Sequence, residues 1–314
     1  MIYTCTMNPA IDLFSEFNTF KPYIVNRSHY EEYQANGKAI NISFVLKKIG
    51  IDSTATGFIG GFTGDFIEES LEERGIGTSF IRVNGITRIN TFIRSGNLEY
   101  KAVNKGPVIS SADQKKLLDL IGSLKQNDLL FVSGSLPRHV DDSILVNISR
   151  LSRKNGFSLF LDVSSKALLD CLPYEPEMIK PSDEELAGFL GVPAESLTSA
   201  DQVVSGARQL LKRGVKHILV SRGEKGALYL DHDHIFMTNA PRGKVVNTAC
   251  AGDTMLAAFA GSRLKGASIG DSLIFATAAA SSTAFTAGLS NLQDIPELQK
   301  QIRIQNLLES GERS

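Results

Sequence analysis

Short apolar runs alternate with helical stretches along most of this chain, and that alternation restricts its fold more than any other feature. Ile2 to Thr6 reads as a buried strand stopped by the turn signal Asn8-Pro9. Asn36 to Gly50 opens on a glycine turn and continues as a helix whose apolar positions Ile42, Val45, Leu46 and Ile49 keep a three-to-four spacing. A strand at Ser53 to Ile59, a Gly60-Gly61 break and a helix from Asp65 to Arg74 follow. The pattern resumes with helix 110–125, strand Leu129 to Ser133, helix 141–154 and strand Ser158 to Val163. Met178 to Lys180, helix 199–213, strand His217 to Ser221 and hairpin strands 227–230 and 235–237 come next, and three helices close the chain. Parallel strands cannot be joined by tight turns, and helices are their usual crossovers. The prediction is an α/β fold with a mostly parallel central sheet and helices on both faces.

Two stretches break the alternation. Ile89 to Arg94 and Glu99 to Val103 flank a Ser95-Gly96-Asn97 turn and read as a hairpin, while Leu13 to Gln34 is aromatic and polar without a helical period. Paired, they form a small β-sheet lid inserted in the body. The expected division is therefore 1–11, 36–86 and 104–314 for the α/β domain, and 12–35 with 87–103 for the lid. Exposed lid strands invite pairing between two lids, so a homodimer through the lid is expected.

Of 314 residues, 42% are hydrophobic, and 33 basic against 34 acidic residues leave a net charge of −1. Such a chain can bury about three quarters of its unfolded surface. Without blocks of Lys or Arg, neither nucleic acid nor an anionic membrane is the expected partner. The apolar stretches are too short to span a bilayer, the Ala/Ser/Thr-rich 269–288 reads as packed core, and Met1 leads straight into strand-like residues, so a cytoplasmic location is expected. Cys5, Cys171 and Cys250 lack metal-ligand spacing and read as reduced and mostly buried.

The strongest chemical signal is Lys244 to Phe259, KVVNTACAGDTMLAAF. It reads as a strand ending at Val245-Val246, a tight turn, and a helix whose first turn holds Ala251, Gly252 and Asp253. Unpaired N–H groups and the helix dipole make such a turn an anion site, and small side chains let the anion approach. Asp253 has two readings here: a base that takes a proton from a hydroxyl attacking a phosphate, or a helix cap. Other polar clusters fall at strand ends, where ligands bind in open α/β sheets. They are Asn8-Pro9 with Asp12, Ser133 to Arg138, Asp162 with Ser164, Lys180 to Ser182 with Glu185, and Ser221 to Gly223 with Gly226. Asp231-His232-Asp233-His234 reads as a solvated turn rather than a metal site.

In this order the motifs TMNPAID (6–12), NGKAIN (36–41), GFIGGFTGDFI (57–67), TRIN (87–90), SGSLP (133–137), IKPSDEEL (179–186), SRGEKGA (221–227) and NTACAGDTM (247–255) resemble the ribokinase-like carbohydrate kinases. Within that family they resemble the branch holding 1-phosphofructokinase and tagatose-6-phosphate kinase. The resemblance implies phosphorylation by ATP with Mg2+ of a ketohexose that already carries a phosphate, fructose 1-phosphate first and tagatose 6-phosphate second. A weakly catalytic sugar-phosphate-binding regulator is the reading of another class. Asp253 would be the base, and Cys250, Ala251 and Gly252 its anion hole. ATP would lie near Lys180, Ser182, Ser221, Arg222, Gly223 and Gly226, also against Gly252, with Glu185 organising the metal. Asp12, Gly37, Lys38, Asn41, Arg88 and Asn90 would meet the sugar phosphate, with Arg27, Ser135 and Arg138 as further candidates. The chain departs from the family pattern at Cys250, Ser182 and at Asn36 with Ala39, where the family has glycines and an asparagine.

Overall fold

The computed structural model of the chain describes residues 1–310. Eleven strands form the main sheet. Its parallel part runs His217–Ser221, Met178–Ile179, Ser158–Asp162, Leu129–Ser133, Ile2–Thr6, Thr54–Ile59 and Gly77–Thr78, with Ile81–Arg82 also on Thr54–Ile59. Beyond His217–Ser221 the sheet turns antiparallel through Ala227–Leu230, Ile235–Thr238 and Ile304–Asn306.

Both faces are covered, and the strands divide their side chains between them with the two-residue period of a pleated chain. Phe131 stacks on Phe160 in a core with Ile42, Leu46, Leu256 and Leu273, from helices Lys38–Lys48, Ala251–Leu264 and Ile269–Ala284. Its neighbours Leu130 and Val132 pack in the opposite core with Leu117, Ile121, Leu145, Ile148, Leu186 and Val203, from helices Ser111–Gly122, Ser143–Asn155, Asp183–Leu190 and Ala200–Leu211. The Ala-rich 269–288 stretch is indeed core, and Ala276, Ala278 and Ala279 are fully buried. No helix among the described residues is long and apolar enough to cross a membrane.

Three expectations about elements need correction. Val245 and Val246 form no strand: both are exposed, and the N–H groups of Val246 and Asn247 bond to the carbonyl of Ala284 at the end of a helix, not to a sheet. The helix expected from Asp65 starts at Gly61, because Thr87 Oγ1 accepts the Gly60 N–H at 3.0 Å and Thr63 Oγ1 donates to the Thr87 carbonyl at 2.8 Å, fixing the turn by tertiary contacts. The chain does not close on three helices alone: after Ile295–Gln299, Ile304–Asn306 adds an edge strand beside Ile235–Thr238. The cysteines are mostly buried, as expected: Cys5 and Cys171 are buried, Cys250 partly so, and all three are free thiols.

A separate sheet has the order Tyr30–Asn36, Ala10–Phe17, Arg88–Ser95, Leu98–Ala102. Ala10–Phe17 runs parallel to Arg88–Ser95, pairing Asp12 with Asn90, and antiparallel to Tyr30–Asn36, pairing Ala10 with Asn36. That register gathers three polar side chains where this sheet meets the body. Tyr30, Tyr33, Leu98 and Tyr100 are exposed on it.

Candidate active site

Helix Ala251–Leu264 starts beyond the end of the sheet, and its first turn meets helix Lys38–Lys48. Among the described residues the N–H groups of Gly252 and Asp253 have no acceptor, while that of Ala251 reaches Thr248 O only at 3.4 Å. Free donors at a helix N-terminus are what an anion requires. Gly252 leaves the approach open: a Cβ there would come within 3.0 Å of Lys180 Nζ, so the buried ammonium lies directly against the turn.

Asp253 is 4% exposed and does not cap its helix. Its Oδ2 accepts from Asn41 Nδ2 at 2.9 Å, and among the described residues nothing donates to Oδ1. Burial and the charge of Asp162 push its carboxyl up, and Asn41, Lys38 and Lys180 restrain the rise. A carboxylate so raised, with one oxygen unengaged, suits a general base.

Asp162, at the end of strand Ser158–Asp162, is fully buried between two cations: its Oδ1 is 3.3 Å from Lys180 Nζ and its Oδ2 3.6 Å from Lys38 Nζ. Burial alone would raise its carboxyl, but Lys180 and Lys38 hold it below the ordinary value. For Lys38 burial opposes the charge, and Asp162, Asp253 and Glu185 together outweigh it. Lys38 is thus charged and shared by Asp253, Asp162 and the cavity.

That cavity, about 420 Å³, is lined by Asn8, Gly37, Lys38, Arg88, Ser135 and Ser164 among others. Gly37 allows the close turn: a Cβ would meet Thr6 Cγ2 at 2.6 Å. Arg88 donates to the carbonyls of Asn8 (2.8 Å), Asn104 (3.1 Å) and Pro9 (3.3 Å). Three of its five N–H donors are spent on holding it, and two remain. Ser135 Oγ accepts from Asn8 Nδ2 at 3.3 Å. Asp12, buried, accepts from Asn90 Nδ2 at 2.8 Å and from Asn36 Nδ2. Arg27 and Arg138 are exposed, and neither lines the cavity.

The residues expected around ATP divide. Ser182 and Glu185 form a reciprocal cap: Ser182 Oγ accepts the Glu185 N–H at 3.1 Å and Glu185 Oε2 the Ser182 N–H at 2.9 Å, while Ser164 donates to Oε1 at 2.5 Å. Ser221 is tied back by its N–H to Pro181 O at 3.0 Å. Gly223 opens a short turn with free space around it. Gly226 has a packing reason, since a Cβ would lie 2.0 Å from Thr238 O and its φ is +93°. Arg222 is buried with Nε 3.2 Å from Asp183, Nη2 3.4 Å from Thr198 O and Nη1 3.7 Å from Met237 Sδ. Its side chain braces this loop.

No cluster of three or more His, Cys, Asp or Glu residues among the described ones encloses a metal, and the 231–234 segment is the turn that was expected, with Asp231 Oδ1 accepting the N–H groups of Asp233 and His234. Mg2+ asks for less than a protein cage: one or two carboxylates, with phosphate oxygens and water completing the shell. Glu185, and Asp162 with an Oδ1 that is buried and without a hydrogen bond, fit that requirement.

Cys250 departs from glycine but keeps glycine's geometry, with φ of +63° in the left-handed region. Its Sγ accepts from Asn41 Nδ2 at 3.2 Å. A side chain there costs about 1 kcal/mol of backbone strain, offset by its packing. Cys250→Gly is therefore expected to change stability by no more than about 1 kcal/mol in thermal melts, and kcat by less than about twofold. A large rise in kcat would show that the thiol obstructs the anion.

Sequence reasoning missed Asn36, which it took only as a lost glycine, and did not carry Asp162 into the site. Asp162 stands at a strand end beside Ser164, which is a usable signal; its place between two lysines is not written in any spacing.

An α/β body with unpaired N–H groups at a helix turn, a buried carboxylate in that turn and a cation-lined cavity beside a small sheet suits a phosphotransferase. The chain matches the family described as pfkB family carbohydrate kinase over residues 5–296 and belongs to that family. It is a sugar-phosphate kinase. It is 48% identical to a D-tagatose-1-phosphate kinase of Bacillus licheniformis and 32% identical to a 1-phosphofructokinase of Bacillus subtilis, each over 98% of this chain and 100% of the relative. Phosphofructokinase-2 of Escherichia coli, solved in a tetrameric inhibited form, superposes with a TM-score of 0.87 at 25% identity, covering 95% of this chain and 98% of its own.

Proposed function

We propose that the protein transfers the γ-phosphoryl group of ATP to a ketohexose phosphate whose existing phosphate is at C1. Fructose 1-phosphate, giving fructose 1,6-bisphosphate, is the acceptor its motifs favour; D-tagatose 1-phosphate is the one favoured by the 48% identical relative. The observation that carries the reading is a cavity lined by Lys38 and Arg88 in which Lys38 also feels the charge of Asp253, the carboxylate on the helix turn whose N–H groups are free. Phosphoryl transfer depends on positioning and charge neutralisation more than on covalent chemistry. Asp253 Oδ1 takes the proton of the attacking hydroxyl. The free N–H groups, Lys38 and Lys180 offset charge on the transferred group. Glu185 and Asp162 would hold Mg2+, directly or through water, and the ion would screen the triphosphate.

A coupled ADP-release assay across fructose 1-phosphate, tagatose 1-phosphate, tagatose 6-phosphate, fructose 6-phosphate and unphosphorylated sugars tests the reading. Turnover confined to the 6-phosphates would sink the C1 assignment. Turnover on none, with sugar phosphate still binding by calorimetry, would leave the regulator reading. A homodimer through the second sheet, whose exposed Tyr33 and Leu98 motivate it, and a cytoplasmic location complete the proposal; light scattering showing only monomers would remove the dimer.

Arg88 is proposed to hold the acceptor phosphate with its two unspent donors. Arg88→Ala should weaken sugar-phosphate binding by about 1.5–3 kcal/mol and leave ATP affinity nearly unchanged, as read by calorimetry. Equal losses for both ligands would mean that the guanidinium only ties Asn8, Pro9 and Asn104 together.

A further inference from the structure

Asn36 stands where the second sheet joins the body, the last residue of strand Tyr30–Asn36 and two before helix Lys38–Lys48. Its amide has a determined orientation. The Gly37 backbone N–H can only donate, and it donates to Asn36 Oδ1 at 2.6 Å, so Nδ2 must face Asp12, whose Oδ2 accepts from it. Asn36 Oδ1 also accepts from Asn41 Nδ2 at 3.0 Å, and Asn41 Nδ2 in turn donates to Asp253 Oδ2 at 2.9 Å. Both amides are thereby oriented by partners of fixed polarity. Each link in the path Asn90, Asp12, Asn36, Asn41, Asp253 pairs an amide donor with an oxygen acceptor, and a connected, partly buried polar network of this kind rigidifies a site.

We propose that Asn36 is a positioning residue of this kinase: its side chain couples the carboxylate of Asp12 on the second sheet to the base Asp253, through Asn41, so that the acceptor sugar and the base are set by one network. The proposal rests on the kinase reading above and adds a role at a position that the motif resemblance marks only as a departure from glycine. Asn90 and Asn36 each occupy one oxygen of Asp12 from opposite sides, which fixes the carboxylate plane and leaves a lone pair on each oxygen for sugar hydroxyls. Asn41 Nδ2 lies within hydrogen-bond reach of Asn36 Oδ1, Asp253 Oδ2 and Cys250 Sγ, and Asn36 helps to hold the amide from which Asp253 accepts. No second path links the two carboxylates by hydrogen bonds among the described residues.

Two variants separate the halves of the bridge. Asn36→Asp keeps an oxygen for the Gly37 and Asn41 donors but sets a carboxylate against Asp12, so the KM for the sugar phosphate should rise about tenfold with a smaller change in kcat. Asn36→Gly removes both halves, so KM for the sugar phosphate should rise and kcat fall, each by roughly five- to tenfold, with KM for ATP unchanged. A residue that merely supported the fold would move both Michaelis constants, or neither, together with the melting temperature. Unchanged sugar KM and kcat in Asn36→Gly would overturn the proposal.

The pH dependence of thermal stability provides a readout independent of turnover. Asp12 is faced by Asn90, Asn36 and, at longer range, Arg88. A second carboxylate in Asn36→Asp raises the pair's proton affinity in the folded protein above that of the unfolded chain. The stability cost relative to wild type should therefore be small near pH 4 and grow as the pH rises to 8. If the assay finds no kinase activity, the functional reading fails while this measurement still decides the contact. A melting temperature for Asn36→Asp that tracks wild type at every pH would show that Asn36 does not engage Asp12, and the proposal would fall.

Discussion

Asp253→Asn is expected to lower kcat at least about a hundredfold while ATP continues to bind, because the amide keeps the size of the carboxylate but cannot accept the acceptor's proton. The geometry sharpens this expectation. Asn41 donates to Oδ2 and would meet the amide oxygen equally well, so the variant should fold and melt close to wild type. Burial and Asp162 raise the carboxyl, so the acid limb of kcat in the unmodified enzyme should lie above the usual aspartate range: rate is lost as pH falls through the raised value, where the base takes up its proton. The limb should be absent from whatever rate Asp253→Asn retains. If the variant keeps most of its turnover, proton abstraction is not what Asp253 contributes, and the anion turn with its lysines must account for the rate.

Arg222→Ala is expected to cost about 3–5 kcal/mol of stability, the usual consequence of breaking a buried ion pair from one side. For a chain of this size that corresponds to a fall in melting temperature of roughly 10 °C. The guanidinium is 4% exposed, and the variant would leave the half-buried Asp183 carboxylate without its partner. Burial already pushes Asp183 up, and Arg222 restrains it. Loop 221–226 is anchored through this side chain to helix Asp183–Leu190, so any change in the KM for ATP should follow the loss of stability and shrink when the protein is assayed well below its melting point. A raised KM for ATP with an unchanged melting temperature would instead make Arg222 a nucleotide contact. Arg222→Lys keeps the charge but cannot reach Asp183, Thr198 and Met237 together, so it should recover only part of the loss.

How these residues were found differs from case to case. Asp253 was legible because a run of small residues before a helical period implies an open helix N-terminus, a local property of the chain. Two readings of it remained, base or cap, and only the position of Asn41 on a different helix separates them. Gly226 and Arg222 stood in a motif, yet the nearness of Thr238 O to one depends on the pairing of strands 227–230 and 235–238, and that of Asp183 to the other on how strand 217–221 meets helix 183–190. Val245 and Val246 misled in the opposite direction: β-branched residues favour a strand only when a neighbouring strand is there to pair with them, and here their backbone faces a helix end.

By itself the sequence determined the alternation of strands and helices, the two-sided parallel sheet, the interrupting hairpin and the open N-terminus of the helix at Ala251, because each follows from periodicity, turn chemistry and side-chain size within a few residues. The tertiary structure decided what no spacing contains. It placed Asp162 between Lys38 and Lys180, set Ala10–Phe17 parallel to Arg88–Ser95 so that Asp12 faces Asn90, and turned Asn36 from a lost glycine into the amide between two carboxylates. Hydrogen bonds and charge pairs reach only a few ångströms, and the residues that make them here are up to 212 positions apart in the chain.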